Sequence, residues 1–183
     1  KNETALTYDF RNEGEDAVYT ITPLMNFREH NESSTPETLR FTKETDPGSF
    51  VLTPEQKKDY RIEVRYSDGE LTERNDLFDI DMQLQTEVDN EVDGLDCHYT
   101  PYDITFSVPA HSHMQFSLIC RILPDSEYEP CSAPISASYA FDRLAEEQAH
   151  ICDLLKLGGY GDDFFANALV VASNQFLAYR QST

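Results

Sequence analysis

Over the first 123 residues, hydrophobic and polar positions alternate with period two, as in strands with one buried face. Leu6, Tyr8 and Phe10 alternate with polar neighbours, the turn-forming stretch 12–16 follows, and 17–25 is rich in β-formers, so the opening predicts a hairpin. The pattern continues through Leu39 and Phe41, then Phe50 and Leu52, then Tyr60, Ile62, Val64 and Tyr66. Ser67-Asp68-Gly69 predicts a tight turn into Glu70-Leu71-Thr72. Tyr102, Ile104, Phe106 and Val108 form another stripe, and Met114, Phe116, Leu118, Cys120 and Ile122 the clearest. Many short strands with closely spaced turn signals predict a mainly β protein built as an antiparallel sandwich.

Near residue 124 the period changes. Pro124, Pro130 and Pro134 mark a connecting segment unsuited to a central strand. Ser138 precedes a stretch from Tyr139 to Leu157 in which Phe141, Leu144, Gln148, Ile151, Cys152 and Leu155 recur at helical spacing, ending at Gly158-Gly159. Asp162 is placed to cap a second helix over 163–179, with Phe165, Leu169, Ala172, Phe176 and Leu177 as its apolar positions. The expected organisation is a β-sandwich over 1–123, a proline-containing linker over 124–137 and a helical pair over 138–183. The chain opens on Lys1 and its last residues, 176–183, still read as helix, so both ends are expected to be cut from something longer.

Composition narrows the function. Hydrophobic residues make up 39% and aromatics 11%, with no Trp, which suits a packed sheet protein. The net charge of −20 repels nucleic acid and anionic lipid, while neutral sugars are compatible with it. No apolar run reaches the ~18 residues of a membrane span, and no signal peptide is recognisable. Cys97, Cys120, Cys131 and Cys152 include no C-x-x-C pair, and free thiols in a cytoplasmic protein are expected.

The candidate chemistry is thin. Asp89 to Gly94 resembles the start of a calcium loop, but Glu91 stands where Asp or Asn is needed and Thr100 where a bidentate Glu is needed, so an acidic turn is expected. His111 and His113 would share a strand face, with His98 a third ligand only by tertiary coincidence; surface histidines are the expectation, with no metal. Asp76, Asp79 and Asp81 could include two carboxylates flanking a glycosidic bond, but acids are too frequent here for the spacing to count. Tyr99 and Tyr102, with Tyr128 and Tyr160, are candidates for stacking on sugar rings, the alternative being that they fill the core or its rim. No catalytic residue and no cofactor is expected.

Thr7-Tyr-Asp-Phe-Arg-Asn12 followed by Ile21-Thr-Pro-Leu-Met-Asn-Phe-Arg-Glu-His30 resembles the N-terminal domain of bacterial and archaeal glycogen debranching enzymes. Of that family's Pro-Leu-x-x-x-Arg-x-x-His segment, Pro23, Leu24 and Arg28 match in place and His30 stands one position early. The stretch from Phe165 to Arg180 is similar to the first helix of that family's catalytic barrel. The resemblance implies a super-sandwich that supports an (α/α) barrel, in a parent amylo-α-1,6-glucosidase hydrolysing branch points of glycogen. It implies that Arg28 and His30 lie near substrate or, alternatively, hold a loop by hydrogen bonds. The implied partners are α-glucan (glycogen, maltooligosaccharide) and the protein's own barrel. An incomplete sandwich with open edges would also permit a homodimer. Two other functions fit the pattern: an independent carbohydrate-binding module, and a secreted sandwich domain, which would need its cysteines paired.

Overall fold

The structure is a computed structural model that describes residues 3–28, 32–85, 88, 94–130, 133–159 and 163–174. Ten strands appear among them: β1 (Glu3–Arg11), β2 (Ala17–Ile21), β3 (Phe41–Asp46), β4 (Ser49–Pro54), β5 (Tyr60–Tyr66), β6 (Glu70–Glu73), β7 (Phe78–Gln83), β8 (Leu95–Tyr99), β9 (Tyr102–Val108) and β10 (His113–Pro124). Two helices follow, α1 (Tyr139–Leu157) and α2 (Phe164–Asn174). The protein is a mainly antiparallel β-sandwich with two C-terminal helices, as the periodicity predicts. Among the described residues no helix is long and apolar enough to cross a membrane.

The strands form a five-stranded sheet in the order β1-β10-β5-β4-β3, a three-stranded sheet β2-β9-β6, and a small β7-β8 pair. The stripes of β4, β5 and β9, and Phe116 and Leu118 of β10, are inner faces, whereas Leu6 and Tyr8 of β1 and Ile122 of β10 are exposed, a correction to the stripes read there. Tyr102, Ile104, Phe106 and Val108 of β9 are buried opposite Phe50, Leu52, Ile62, Val64 and Phe116 of the larger sheet. Phe106 and Phe116 stack face to face across the sandwich, with ring centroids 4.3 Å apart and planes 7° from parallel. Phe50 meets Tyr102 at 4.8 Å.

The opening hairpin is a correction. β1 pairs with β10, while β2 pairs with β9 in the opposite sheet. The turn at 12–16 is a crossover between layers. Asn12 fixes it by donating through Nδ2 to the carbonyls of Glu15, Val108 and Pro109, at 2.7, 3.2 and 2.9 Å. Strand β2 also ends at Ile21, before Pro23, and Met25 makes only an isolated bridge to Tyr99. The turn at 67–69 changes sheets as well. There Gly69 has φ +105°, and a Cβ on it would sit 2.9 Å from the Thr105 carbonyl oxygen.

The described residues of the proline-rich stretch lie against the outer face of the five-stranded sheet. Arg61 pairs with Asp125 at 2.8 Å, Arg65 donates to the Ala133 carbonyl at 2.5 Å, and Ser117 donates to the Ala137 carbonyl at 2.7 Å. Under this cover Glu63, Ile119 and Val51 are at most 3% exposed although they point away from the main core. Glu63 is neutralised by Arg121, its register neighbour on β10.

Helix α1 is anchored by a polar hub rather than by a cap of its own. Ser138 makes no side-chain capping bond. Instead the amides of Tyr139 and Ala140 donate to the hydroxyls of Ser117 and Thr7, both at 3.1 Å. The Ser117 proton goes to Ala137, so Thr7 must be the donor in the 2.7 Å bond between the two hydroxyls. This satisfies two of the orphan amides of a helix start from two strands far away in sequence. Helix α2 is capped by Asp163, whose Oδ1 accepts from the amides of Phe165 and Ala166 at 2.9 and 3.0 Å. Asp162, the expected cap, lies outside the described residues, as do 175–179 of the expected second helix.

Replacing Ser117 by Ala removes one acceptor of the Tyr139 amide, which keeps its 3.2 Å bond to the Ser136 carbonyl, and takes from the half-buried Thr7 hydroxyl the acceptor it donates to. Urea denaturation should show a loss of about 1–3 kcal/mol, and amide exchange at Tyr139 and Ala140 should accelerate. Ser173→Ala, on the exposed face of α2, should stay within about 0.5 kcal/mol.

Candidate functional site

The segment carrying the sequence resemblance leaves β2 and is clamped beside β8. Met25 exchanges two backbone hydrogen bonds with Tyr99, at 2.9 and 2.8 Å, and buries its side chain in the core. This brings Asn26 and Arg28 over Asp96, which is 4% exposed.

Asp96 is the most completely coordinated carboxylate of the region. Its Oδ1 accepts from the amides of Ser34 and Cys97, at 2.8 and 2.9 Å. Its Oδ2 accepts from Arg28 Nε and Asn26 Nδ2, both at 3.0 Å. Ser34 in turn donates its hydroxyl to Asn26 Oδ1 at 2.7 Å. Burial alone would push the carboxyl up. The two amide bonds and the Arg28 guanidinium outweigh it, so Asp96 lies below its ordinary 3.8 and is held ionised. The adjoining Cys97 thiol moves the other way, raised first by burial and then by Asp96, so it is an inert, protonated group. Cys97, Cys120 and Cys152 are free thiols, while Cys131 lies outside the described residues.

Beside this anchor a cleft of about 800 Å³ opens between the 26–28 segment, the 32–38 loop and the 54–57 turn. Phe27 forms one edge and packs partly against the core. The loop wall is a closed turn, with the Thr38 and Leu39 amides both donating to the Thr35 carbonyl at 3.0 Å and Leu39 fully buried beneath. The opposite wall is tied to it. Gln56 Nε2 donates to the Thr38 carbonyl at 3.1 Å, and the Glu55 amide to the Arg40 carbonyl at 2.9 Å. Arg40 Nε braces the Glu37 carbonyl at 3.1 Å. The charged lining carries both signs: Arg28, Arg40 and Lys57 with Glu32, Glu37 and Glu55.

Of the residues singled out from sequence, Arg28 is at this cleft, one side of its guanidinium committed to Asp96. His30 lies outside the described residues. Tyr99 and Tyr102 are corrected from sugar-stacking candidates to core residues. Each is 5% exposed; Tyr99 is stacked on Phe41 at 5.0 Å and tilted against Phe78 at 5.5 Å, and Tyr102 lies against Phe50. A ring without a free face cannot receive a sugar. Tyr128 is half-buried within the proline-rich stretch, and Tyr160 is outside the described residues.

The described acids and histidines do not converge into a metal centre. Asp79 and Asp81 lie on β7, Asp81 with φ +59° at an irregularity in the pairing with β8. Asp76 lies in the preceding loop, where its carbonyl receives Arg74 and Thr100. His98 faces Asp79 across β7 and β8. His111 sits in a turn with φ +50°, before β10 begins, and His113 pairs with Asp9 at 2.7 Å. Among the described residues no group of three or more His, Cys, Asp or Glu could hold a metal ion. Residues 89–93 of the calcium-like stretch lie outside the described residues. Sequence reasoning did not single out Asp96, Phe27, Arg40 or Gln56. Only the resemblance pointed here, through Arg28.

Asp96→Asn removes the charged acceptor shared by Arg28, Asn26 and the Ser34 and Cys97 amides and should cost about 1–3 kcal/mol in urea denaturation. A pH series should separate charge from packing. The ionised Asp96 is favoured by the fold, so its contribution is complete above the unfolded pKa of about 3.9 and is lost as pH falls through the lower folded value. The wild-type chain should lose stability in that acid window, and Asp96→Asn should lack that component.

A family model described as glycogen debranching enzyme N terminal matches residues 1–115. The match spans β1 through the first residues of β10 and includes every wall of the cleft. No curated protein matches the chain. With 115 of the 183 residues inside the match, the chain belongs to the glycogen debranching enzyme N-terminal family.

Proposed function

We propose that this chain is the non-catalytic N-terminal part of a cytoplasmic glycogen debranching enzyme, whose remaining sequence forms a helical catalytic barrel hydrolysing α-1,6 branch points. The single observation that carries the reading is the family match over residues 1–115. In this reading the two carboxylates needed to cut a glycosidic bond belong to the barrel. The sandwich supports that barrel, and α-glucan is the substrate.

The helices add support from a different direction. Phe141 and Leu144 on α1 are each 49% exposed, while Phe164 and Phe165 at the start of α2 are 88% and 72% exposed. The expected apolar stripe of α1 buries only Ile151 fully. Apolar helix surface on this scale fits a covering domain, which the reading assigns to the barrel. The outer edges of β1 and β3 would be the place for pairing with a second copy if the protein is a homodimer.

The test is glucose release from phosphorylase-trimmed glycogen, by this chain and by a protein extended through the barrel. Release by the extended protein alone is expected. Release by neither would remove the debranching assignment, and release by this chain alone would remove its non-catalytic role.

A further inference from the structure

We propose that the cleft between Phe27, the 32–38 loop and the 54–57 turn holds an α-1,4-linked glucan chain, as a holding site separate from the bond that is cut. The choice of glucan rests on the debranching reading. The site itself rests on its geometry.

Its volume of about 800 Å³ lies within the ~300–1,000 Å³ range of ligand clefts, enough for several sugar rings. Its walls are fixed before any ligand arrives. Leu39 is buried beneath the loop wall, Gln56 and Arg40 brace the two turns, and Asp96 pins the Phe27–Arg28 segment from below. A preformed site loses little freedom when it is filled.

Charge selects the ligand class. The whole chain carries −20, yet among the described residues this cleft is lined by side chains of both signs, Arg28, Arg40 and Lys57 with Glu32, Glu37 and Glu55, Arg28 being also paired with Asp96 beneath it. An anionic ligand would meet three carboxylates and the field of the acidic chain. A cationic ligand would meet two guanidiniums and an ammonium. A neutral polyhydroxyl chain pairs with both sets, because each hydroxyl donates to a carboxylate and accepts from a guanidinium, amide or ammonium. Phe27 supplies the apolar surface against which the C–H face of a sugar ring packs, the place the buried Tyr99 and Tyr102 cannot fill.

The probe is maltoheptaose, titrated into this chain by calorimetry and followed by amide chemical shifts, with cellohexaose as the linkage control. Saturable binding at millimolar sugar is expected, with shifts concentrated at Phe27, Thr38 and Gln56. The double variant Arg40→Ala, Gln56→Ala should bind at least about tenfold more weakly. Both side chains are at the surface, and an unchanged urea midpoint establishes that the variant is folded. Absence of binding at millimolar maltoheptaose, equal binding of cellohexaose, or wild-type affinity in the folded double variant would each overturn the site. Glucose release by the extended protein without binding here overturns the cleft and leaves the debranching reading intact. Binding here without release by the extended protein supports the cleft and removes the debranching reading.

Discussion

The fold depends on strand β9 lying flat against the five-stranded sheet. β9 is the middle strand of the smaller sheet, and its four inward residues are all buried against β4, β5 and β10. Burying one such side chain contributes about 1.5–3 kcal/mol, and a close aromatic pair such as Phe106 with Phe116 adds about 0.5–1.5. The crossovers at 12–16 and 67–69 follow from this packing: each takes the chain from a strand of one layer to a strand of the other.

Polar clusters then decide where the remaining segments lie. Asp96 draws Asn26, Arg28 and the Ser34 amide into one place, and the cleft is the space left beside that knot. Ser117 and Thr7 do the same for α1. A hydrogen bond of this kind contributes only about 1 kcal/mol net, but a buried partner left unpaired costs more, so these hubs specify position more than they add stability. The functional reading joins both hubs. One hub holds the candidate glucan cleft. The other fixes the helix from which the chain continues toward the proposed barrel.

The period-two stripes of β5, β9 and β10, and the helix from Tyr139 to Leu157, are legible in the sequence because each depends on local alternation and capping residues. The sequence also identified the segment around Arg28, through family resemblance. Strand partners were not legible. The turn at Asn12 has the composition of a hairpin turn, and only its bonds to Val108 and Pro109 make it a crossover. Nor could Tyr99 and Tyr102 be sorted into core or surface, since an alternating strand does not say which face another sheet will cover.

What the sequence determined by itself was the class of the fold, the order and type of most elements, the net acidity, and the family. Tertiary structure alone decided which strands share a sheet, that the proline-rich stretch is a third layer, and that Asp96 is the buried anchor of a cleft lined by both signs of charge. The physical reason is range. Alternation, turns and caps are set by neighbours a few residues apart, while the Asp96 cluster joins residues 62 to 70 positions apart and the α1 anchor reaches across 133. Contacts of that range exist only once the two sheets have closed on each other.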